Sequence, residues 1–158
     1  MQTAVFFHKA PAVEVAFRQS SIASILEGTE PLPDNTGRTH ILGIDTDGLL
    51  VSVCEIAFRS GVAQVRFGVH PSYRETDIDE SSVARAMLTA RNCGAAEMTF
   101  SFPKGDERLA QIARNNGMCV DRGGEKWTAI IQLPHADGVS MSIEYVLAFF
   151  VPVRANPV

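Results

Sequence analysis

Between His40 and Val69 the chain reads as strand, turn, strand, turn, strand, and no other stretch limits the fold as tightly. "HILGI" is followed by "DTDG", where Gly48 can take a positive φ, and then by the long apolar run "LLVSVCEIAF". Arg59-Ser60-Gly61 makes a second turn into "VAQVRFGV". The pattern is that of a three-stranded antiparallel meander.

Past Val69 the period changes. "SSVARAMLTARNCG" carries Val83, Met87 and Ala90 at helical spacings and stops at Gly94. "AEMTFSF" reads as a short strand, "DERLAQIARNNG" as a helix ending at Gly117, and "EKWTAIIQL" as a final long strand with Trp127 anchoring the core. Strands are therefore predicted at His40–Asp45, Leu49–Arg59, Val62–Val69, Glu97–Phe102 and Lys126–Leu133, and helices near Ile78–Asn92 and Asp106–Asn116. Before the meander, "PAVEVAFRQSSIASILEG" suits a helix from Pro11 to Gly28, although "VEVAF" alone could equally be a strand; a Pro- and Gly-rich loop follows to His40. A meander followed by strand-helix-strand-helix-strand gives an α/β (α+β) fold, with an open mixed sheet and helices on its faces. The 158 residues suit a single domain, 1–158, with a sizeable core.

The net charge of −4 leaves no basic footprint, which speaks against nucleic acid or an anionic membrane as partner. The start, "MQTAVFFHKAPAV", lacks the basic front and apolar core of a signal peptide. "IEYVLAFFVPV" is 11 residues, short of the ~20 that span a bilayer. Cys54, Cys93 and Cys119 are odd in number and form no C-x-x-C pair, as expected of reduced thiols in the cytoplasm. His8, His40, His70 and His135 have no metal-ligand spacing, and no metal site is expected.

Three stretches resemble the GNAT superfamily, the acyl-CoA-dependent N-acyltransferase fold. "VHPSYR" is similar to that family's strand end before the pyrophosphate loop. "RETDID" sits in register with its Q/R-x-x-G-x-G/A, and "DERLAQIARNNGMCVDRG" with its second signature helix. The resemblance covers about Thr39 to Leu133 and leaves 134–158 as a C-terminal extension. It implies acetyl-CoA or CoA as cofactor, a small-molecule or peptide amine as acceptor, and a homodimer. It also implies cofactor contacts from Val69, Arg74, Glu75, Thr76, Asp77, Ile78 and Asp79, with His70 as candidate base. The extension "MSIEYVLAFFVPVR" is too apolar to lie free in water, and is expected to cover a sheet edge, pack on a face, or pair with a second copy.

The departures from the family pattern bear on chemistry. Asp77 and Asp79 stand at the two glycine positions, Ala113 where many members have a tyrosine that protonates the leaving thiolate, and Gln64 near where some members have a strand carboxylate serving as general base. Phosphate is held by backbone N–H groups at a helix start, which glycine lets approach closely. Like charges ~5 Å apart at an effective dielectric of about 20 repel by roughly 3 kcal/mol. Even screened to 2–3 kcal/mol, that weakens binding about 30- to 150-fold. Asp77 with Glu80 three residues on also suits a capping box that satisfies the helix start from within. Three functions follow as expectations: an acyltransferase with weakened CoA binding, a catalytically inactive dimeric or regulatory module, and a binder of another small molecule in the same cleft.

Overall fold

The computed structural model describes residues 2–33, 37–74, 76–134 and 147–152. Its elements in chain order are β1 (Gln2–Lys9), α1 (Ala12–Phe17), α2 (Gln19–Ile25), β2 (Arg38–Asp45), β3 (Leu50–Arg59), β4 (Val62–Val69), a 3₁₀ turn (Pro71–Tyr73), α3 (Ile78–Asn92), β5 (Glu97–Pro103), α4 (Glu107–Asn115), β6 (Cys119–Asp121), β7 (Lys126–Gln132) and β8 (Leu147–Pro152). The described strands form one sheet in the order β6-β7-β5-β4-β3-β2-β1-β8. Its β4–β5 pair is parallel and the others are antiparallel. The meander and the strand-helix-strand-helix-strand order are those the sequence predicts, and the predicted strands and helices agree to within about two residues. Among the described residues no helix is long and apolar enough to cross a membrane.

The β3–β4 turn fixes the register of everything beside it. Ser60 (φ 51) and Gly61 (φ 78) both take left-handed backbone, the geometry of a two-residue hairpin whose twist matches its strands. Residues equidistant from that turn therefore face each other, from Arg59↔Val62 to Ser52↔Val69. A bulge in β3 skips Val51 as the β2 register passes from Gly43↔Ser52 to Ile44↔Leu50, which turns Val51 to the opposite face.

The two faces of the sheet differ. On one, α3 and α4 bury the main core, including Val65, Phe67, Ile78, Val83, Met98 and Phe100. On the other, α1 and α2 cover a smaller cluster of Ile22, Leu26, Leu42, Leu50 and Val53. The single helix expected from Pro11 to Gly28 is two, broken at Arg18 (φ −96, ψ 13). The cause is spacing: Val13, Val15 and Phe17 recur every second residue, so no single helical face collects them. None of the α1 residues is buried, and Val13 and Phe17 are 77% and 87% exposed.

The sheet takes in more of the chain than the stretch from Thr39 to Leu133. "QTAVFFHK" alternates, with Val5 and Phe7 buried and Phe6 exposed, and pairs along β2. β8 then pairs along the outer side of β1, from Gln2↔Pro152 to Phe7↔Leu147. Of the three placements expected for the extension, covering an edge is the one found; residues 135–146 and 153–158 lie outside the described residues. Removing 134–158 strips β1 of that cover and leaves a row of unpaired backbone groups. We predict a lower melting temperature and aggregation for the truncated chain, read by light scattering coupled to size exclusion; a soluble product melting within a few degrees of the full chain would show the pairing to be dispensable.

Gly68 fixes the second face. A Cβ added there would lie 2.4 Å from the Ile25 carbonyl oxygen, so the end of α2 rests directly on the backbone of β4. Gly68→Ala must push α2 away, with an expected loss of about 1–3 kcal/mol. Urea denaturation of the variant measures it, and an unchanged midpoint would mean that α2 yields freely.

Candidate functional site

β4 and β5 pair only at Val62↔Glu97, Ala63↔Met98 and Gln64↔Thr99. Beyond that β4 runs on to Val69 while β5 stays with β7 as far as Pro103, so the sheet opens into a V. On the α3 side Phe67 meets Phe100 edge to face, with centroids 5.1 Å apart, and closes the V from below. At its apex Gln64 buries Oε1 without a hydrogen-bond partner among the described residues. On the other side the chain after α2 crosses over: Arg66 of β4 donates to Thr29, and Glu30 forms an ion pair with Lys126 of β7.

Val69 lies at the mouth of the V. The His70 N–H donates to Val51 O at 2.7 Å, so in the antiparallel alternation the preceding Val69 N–H points away from β3, toward the unpaired side. The turn that follows is anchored by Tyr73, whose hydroxyl donates to Asp45 Oδ2 at 3.0 Å. Burial first, and then the Asp45 hydrogen bond, push the Tyr73 phenol up to about 12, so it remains a neutral donor. His70 Nδ1 accepts from Ser72 N at 3.1 Å. In the neutral ring that hydrogen bond places the proton on Nε2.

The start of α3 differs from the expected capping box. Asp77 precedes the helix at φ −78, ψ 8, already close to helical, and its side chain makes no cap bond. Capping side chains usually hang from an extended residue, which Asp77 is not. Thr76 serves instead, its Oγ1 donating to Tyr73 O at 2.6 Å and accepting from Ile78 N at 3.3 Å. Ile78 is fully buried, and Asp79, 3% exposed, forms an ion pair with Arg108 of α4. Arg108 also donates to Arg74 O at 3.0 Å, and Glu80 turns to Asn115. Arg108 is lowered by burial and then by the charge of Arg74, whose backbone carbonyl it contacts. Glu75 lies outside the described residues. The carboxylates of this segment thus do not face outward together: Asp79 is paired, Glu80 leaves for α4, and Asp77 is exposed. Ala113, at the family's tyrosine position, is fully buried.

A second cluster went unread in the sequence. His40, Glu55 and Arg66 stand in register on β2, β3 and β4, facing α1 and α2. Glu55, 5% exposed, accepts from Arg38 Nη1 at 2.9 Å and from His40 Nε2 at 3.1 Å. The His40 hydrogen bond, helped by Arg38 and opposed by burial, holds the Glu55 carboxyl below its usual range. With the α1–α2 side these residues line a cleft of about 540 Å³. A lone carboxylate inside "LLVSVCEIAF", equidistant with Arg66 from Ser60-Gly61, was the signal that could have found it. Cys54 beside it is buried on the other face, and burial raises its thiol far above the usual range, leaving it inert.

No family profile and no curated protein sequence matches the chain. Solved structures do. A putative acetyltransferase from Salmonella typhimurium, solved with acetyl-CoA, matches at TM-score 0.64 and 14% identity, over 84% of this chain and 96% of that one. A GNAT-family acetyltransferase from Streptococcus pneumoniae matches at TM-score 0.68 and 8% identity, over 82% and 99%. The spermidine N-acetyltransferase of Vibrio cholerae, solved with CoA and spermine, matches at TM-score 0.60 and 10% identity, over 82% and 95%. At such identities the likeness is one of fold.

The depressed Glu55 pKa sets a pH dependence. Its contribution is present above the ordinary glutamate value of about 4.3 and is lost as pH falls through the lower folded value. Glu55→Gln is expected to cost about 1–3 kcal/mol near neutrality, a difference that shrinks below about pH 4. Paired urea melts across pH test this, and a gap that widened in acid would reverse the sign.

Proposed function

On the premise that this chain has the fold of the GNAT-superfamily acetyltransferases, we propose that it transfers an acyl group from an acyl-CoA to an amine. The observation that carries this reading is the V between β4 and β5, with the Val69 N–H directed into it. A backbone donor fixed at the edge of a strand stabilises negative charge developing on an acyl oxygen, without reorganisation during the reaction. The opening between two strands holds a narrow thioester arm in line for attack, and proximity supplies much of the rate even without a dedicated base. Bound acyl-CoA supplies the activated acyl carbon and a thiolate leaving group.

The residues at the α3 start fit the cofactor's pyrophosphate better than the sequence implies. Arg108 cancels the charge of Asp79, which leaves Arg74 as the positive charge beside the helix start. Arg74, Thr76, Ile78 and Val69 are the residues that would hold it, with Asp77 as the remaining opposing charge. The expectation of weakened binding stands on Asp77 and on the bulk of Asp79 where glycine lets phosphate approach. A second reading, an inactive module, is favoured by the same Asp79–Arg108 pair, because it ties the helix start to α4 without any ligand.

Titration calorimetry with acetyl-CoA separates the two. We predict weak binding to the wild type and a gain of about tenfold or more, roughly 1.4 kcal/mol, for Asp77→Gly with Asp79→Gly, which frees Arg108 and opens the backbone. Sub-micromolar wild-type affinity would refute the weakening. Heat in neither protein would leave the inactive module as the better reading.

A further inference from the structure

The cleft beneath α1 and α2 is walled off from the V. Gly68 of β4 carries no side chain, and the carbonyl oxygen of Ile25, at the end of α2, stands where a Cβ would lie. The wall continues through Arg66, whose Nε donates to Thr29 Oγ1 at 2.5 Å and whose Nη2 donates to Leu26 O at 3.1 Å. A molecule in the cleft therefore does not meet one lying at Val69. Any occupant of the cleft is a separate ligand.

The lining says what chemistry that ligand has. The cleft's volume of about 540 Å³ is in the range of small-molecule sites, with a charged floor on the sheet and an apolar roof of helix. Ala16 and Ala23 of the roof are exposed, so the helices leave room instead of filling it. Among the described residues that line it, Glu55 is the one carboxylate, and both of its oxygens are taken, by Arg38 and by His40. Two guanidiniums thus share a single negative charge. A guanidinium has five N–H groups, and the bonds to Thr29 and Leu26 use only Nε and one Nη2 hydrogen of Arg66. Its Nη1 hydrogens and the other on Nη2 are left for a further acceptor, on a side chain those two bonds already fix. A cation meets repulsion there; a carboxylate meets a fork that matches it.

Occupancy also has a route to the V, through the wall itself. Helix α1 buries none of its residues and α2 buries only Ile22, so neither is held firmly by its own packing. An occupant bonded to Arg66 and packed beneath both helices restrains them, and with them the Ile25 carbonyl that rests on Gly68. Val69 is the next residue, and its N–H is the donor directed into the V. Motion lost to a first ligand is not lost again to a second, which therefore binds tighter.

We propose that this cleft is an effector site for a small aliphatic carboxylate, whose binding is transmitted to Val69 through the seat of α2 on Gly68. Arg66 binds the carboxylate, and the aliphatic body lies against the alanines of α1 and α2. No bond is made or broken in the cleft. The ligand class and the transmission stand on the geometry; only their consequence rests on the acyltransferase reading. On that reading a Val69 N–H held still favours acyl-CoA, and by linkage acyl-CoA favours the carboxylate by the same factor.

The test titrates the nitrogen-15-labelled full chain, by calorimetry and amide NMR, with 4-methylpentanoate, its uncharged amide, 4-methylpentylamine and acetate. 4-Methylpentanoate is expected to bind about tenfold or more tighter than the other three, and to move the amide resonances of both Arg66 and Val69. Acetyl-CoA affinity should rise about threefold or more when it is bound. Arg66→Gln should weaken 4-methylpentanoate about tenfold or more. Since Arg66 also ties β4 to α2, Ala23→Leu is the second variant: it fills the cleft from an exposed helix position, leaves the arginines intact, and should weaken binding as much. The amide, the amine or acetate binding as tightly, no binding by any probe, or affinity unchanged in Ala23→Leu would each overturn the site. Binding that leaves Val69 unmoved, or that leaves a measurable acetyl-CoA affinity unchanged, overturns the coupling and with it the proposal. Acetyl-CoA bound with no response to any of the probes supports acyl transfer and overturns the effector site. 4-Methylpentanoate bound with Val69 moved, and acetyl-CoA bound neither with it nor without it, supports the effector site and overturns acyl transfer.

Discussion

Beyond Gln64, one side of β4 carries backbone N–H and C=O groups that no strand among the described residues meets, and a protein interior does not tolerate such groups unless something satisfies them. The V is kept open by what wedges it: Phe67 against Phe100 on the α3 side, and the Thr29–Glu30 crossing on the other, tied to Arg66 and Lys126. The gap is therefore built, with a floor and a strap, and its unpaired edge is the place where polar atoms of another molecule find ready partners. α3 begins where the same strand ends, so the helix start, the Val69 N–H and the gap converge by connectivity alone.

Charge is distributed to serve that convergence. The chain is acidic as a whole, yet Arg74 and Arg108 gather at the α3 start and Arg38 and Arg66 on the cleft floor. In both places a buried carboxylate sits among them, Asp79 in one and Glu55 in the other, each less than a tenth exposed. A buried carboxylate left alone is costly, so each fixes its arginines in place as much as it is neutralised by them. The same device, a buried carboxylate holding an arginine, thus recurs at the α3 start and on the face of the sheet beneath α1 and α2.

Much of the fold was legible because backbone period and turn chemistry are local. Gly48 and Ser60-Gly61 set the meander, and Gly94 and Gly117 end helices where the spacing stops. β1 was not read as a strand, since its alternation is short and its partners lie far along the chain. The site was less legible for the same reason. Asp77 has the sequence of a cap but not its backbone angles, and nothing local announces that Arg108, 29 positions beyond Asp79, will pair with it. Glu55 was the opposite case. Its partners follow from counting outward from a turn, a reading that treats the meander as a register rather than as three strands.

The pairing of β8 with β1 joins residues about 150 positions apart, as in Gln2↔Pro152, whereas the meander closes through turns of a few residues. Closing a long loop costs more chain entropy than closing a hairpin, and contacts of great sequence separation tend to form late. Assembly during synthesis then has a direction. The β2–β3–β4 meander, and the V at its edge, can form while β8 has yet to leave the ribosome, and β1 waits with its outer side open until the last strand arrives. The gap in the middle of the sheet is thus a property of the earlier fold, and the cover on the outer side of β1 comes after it.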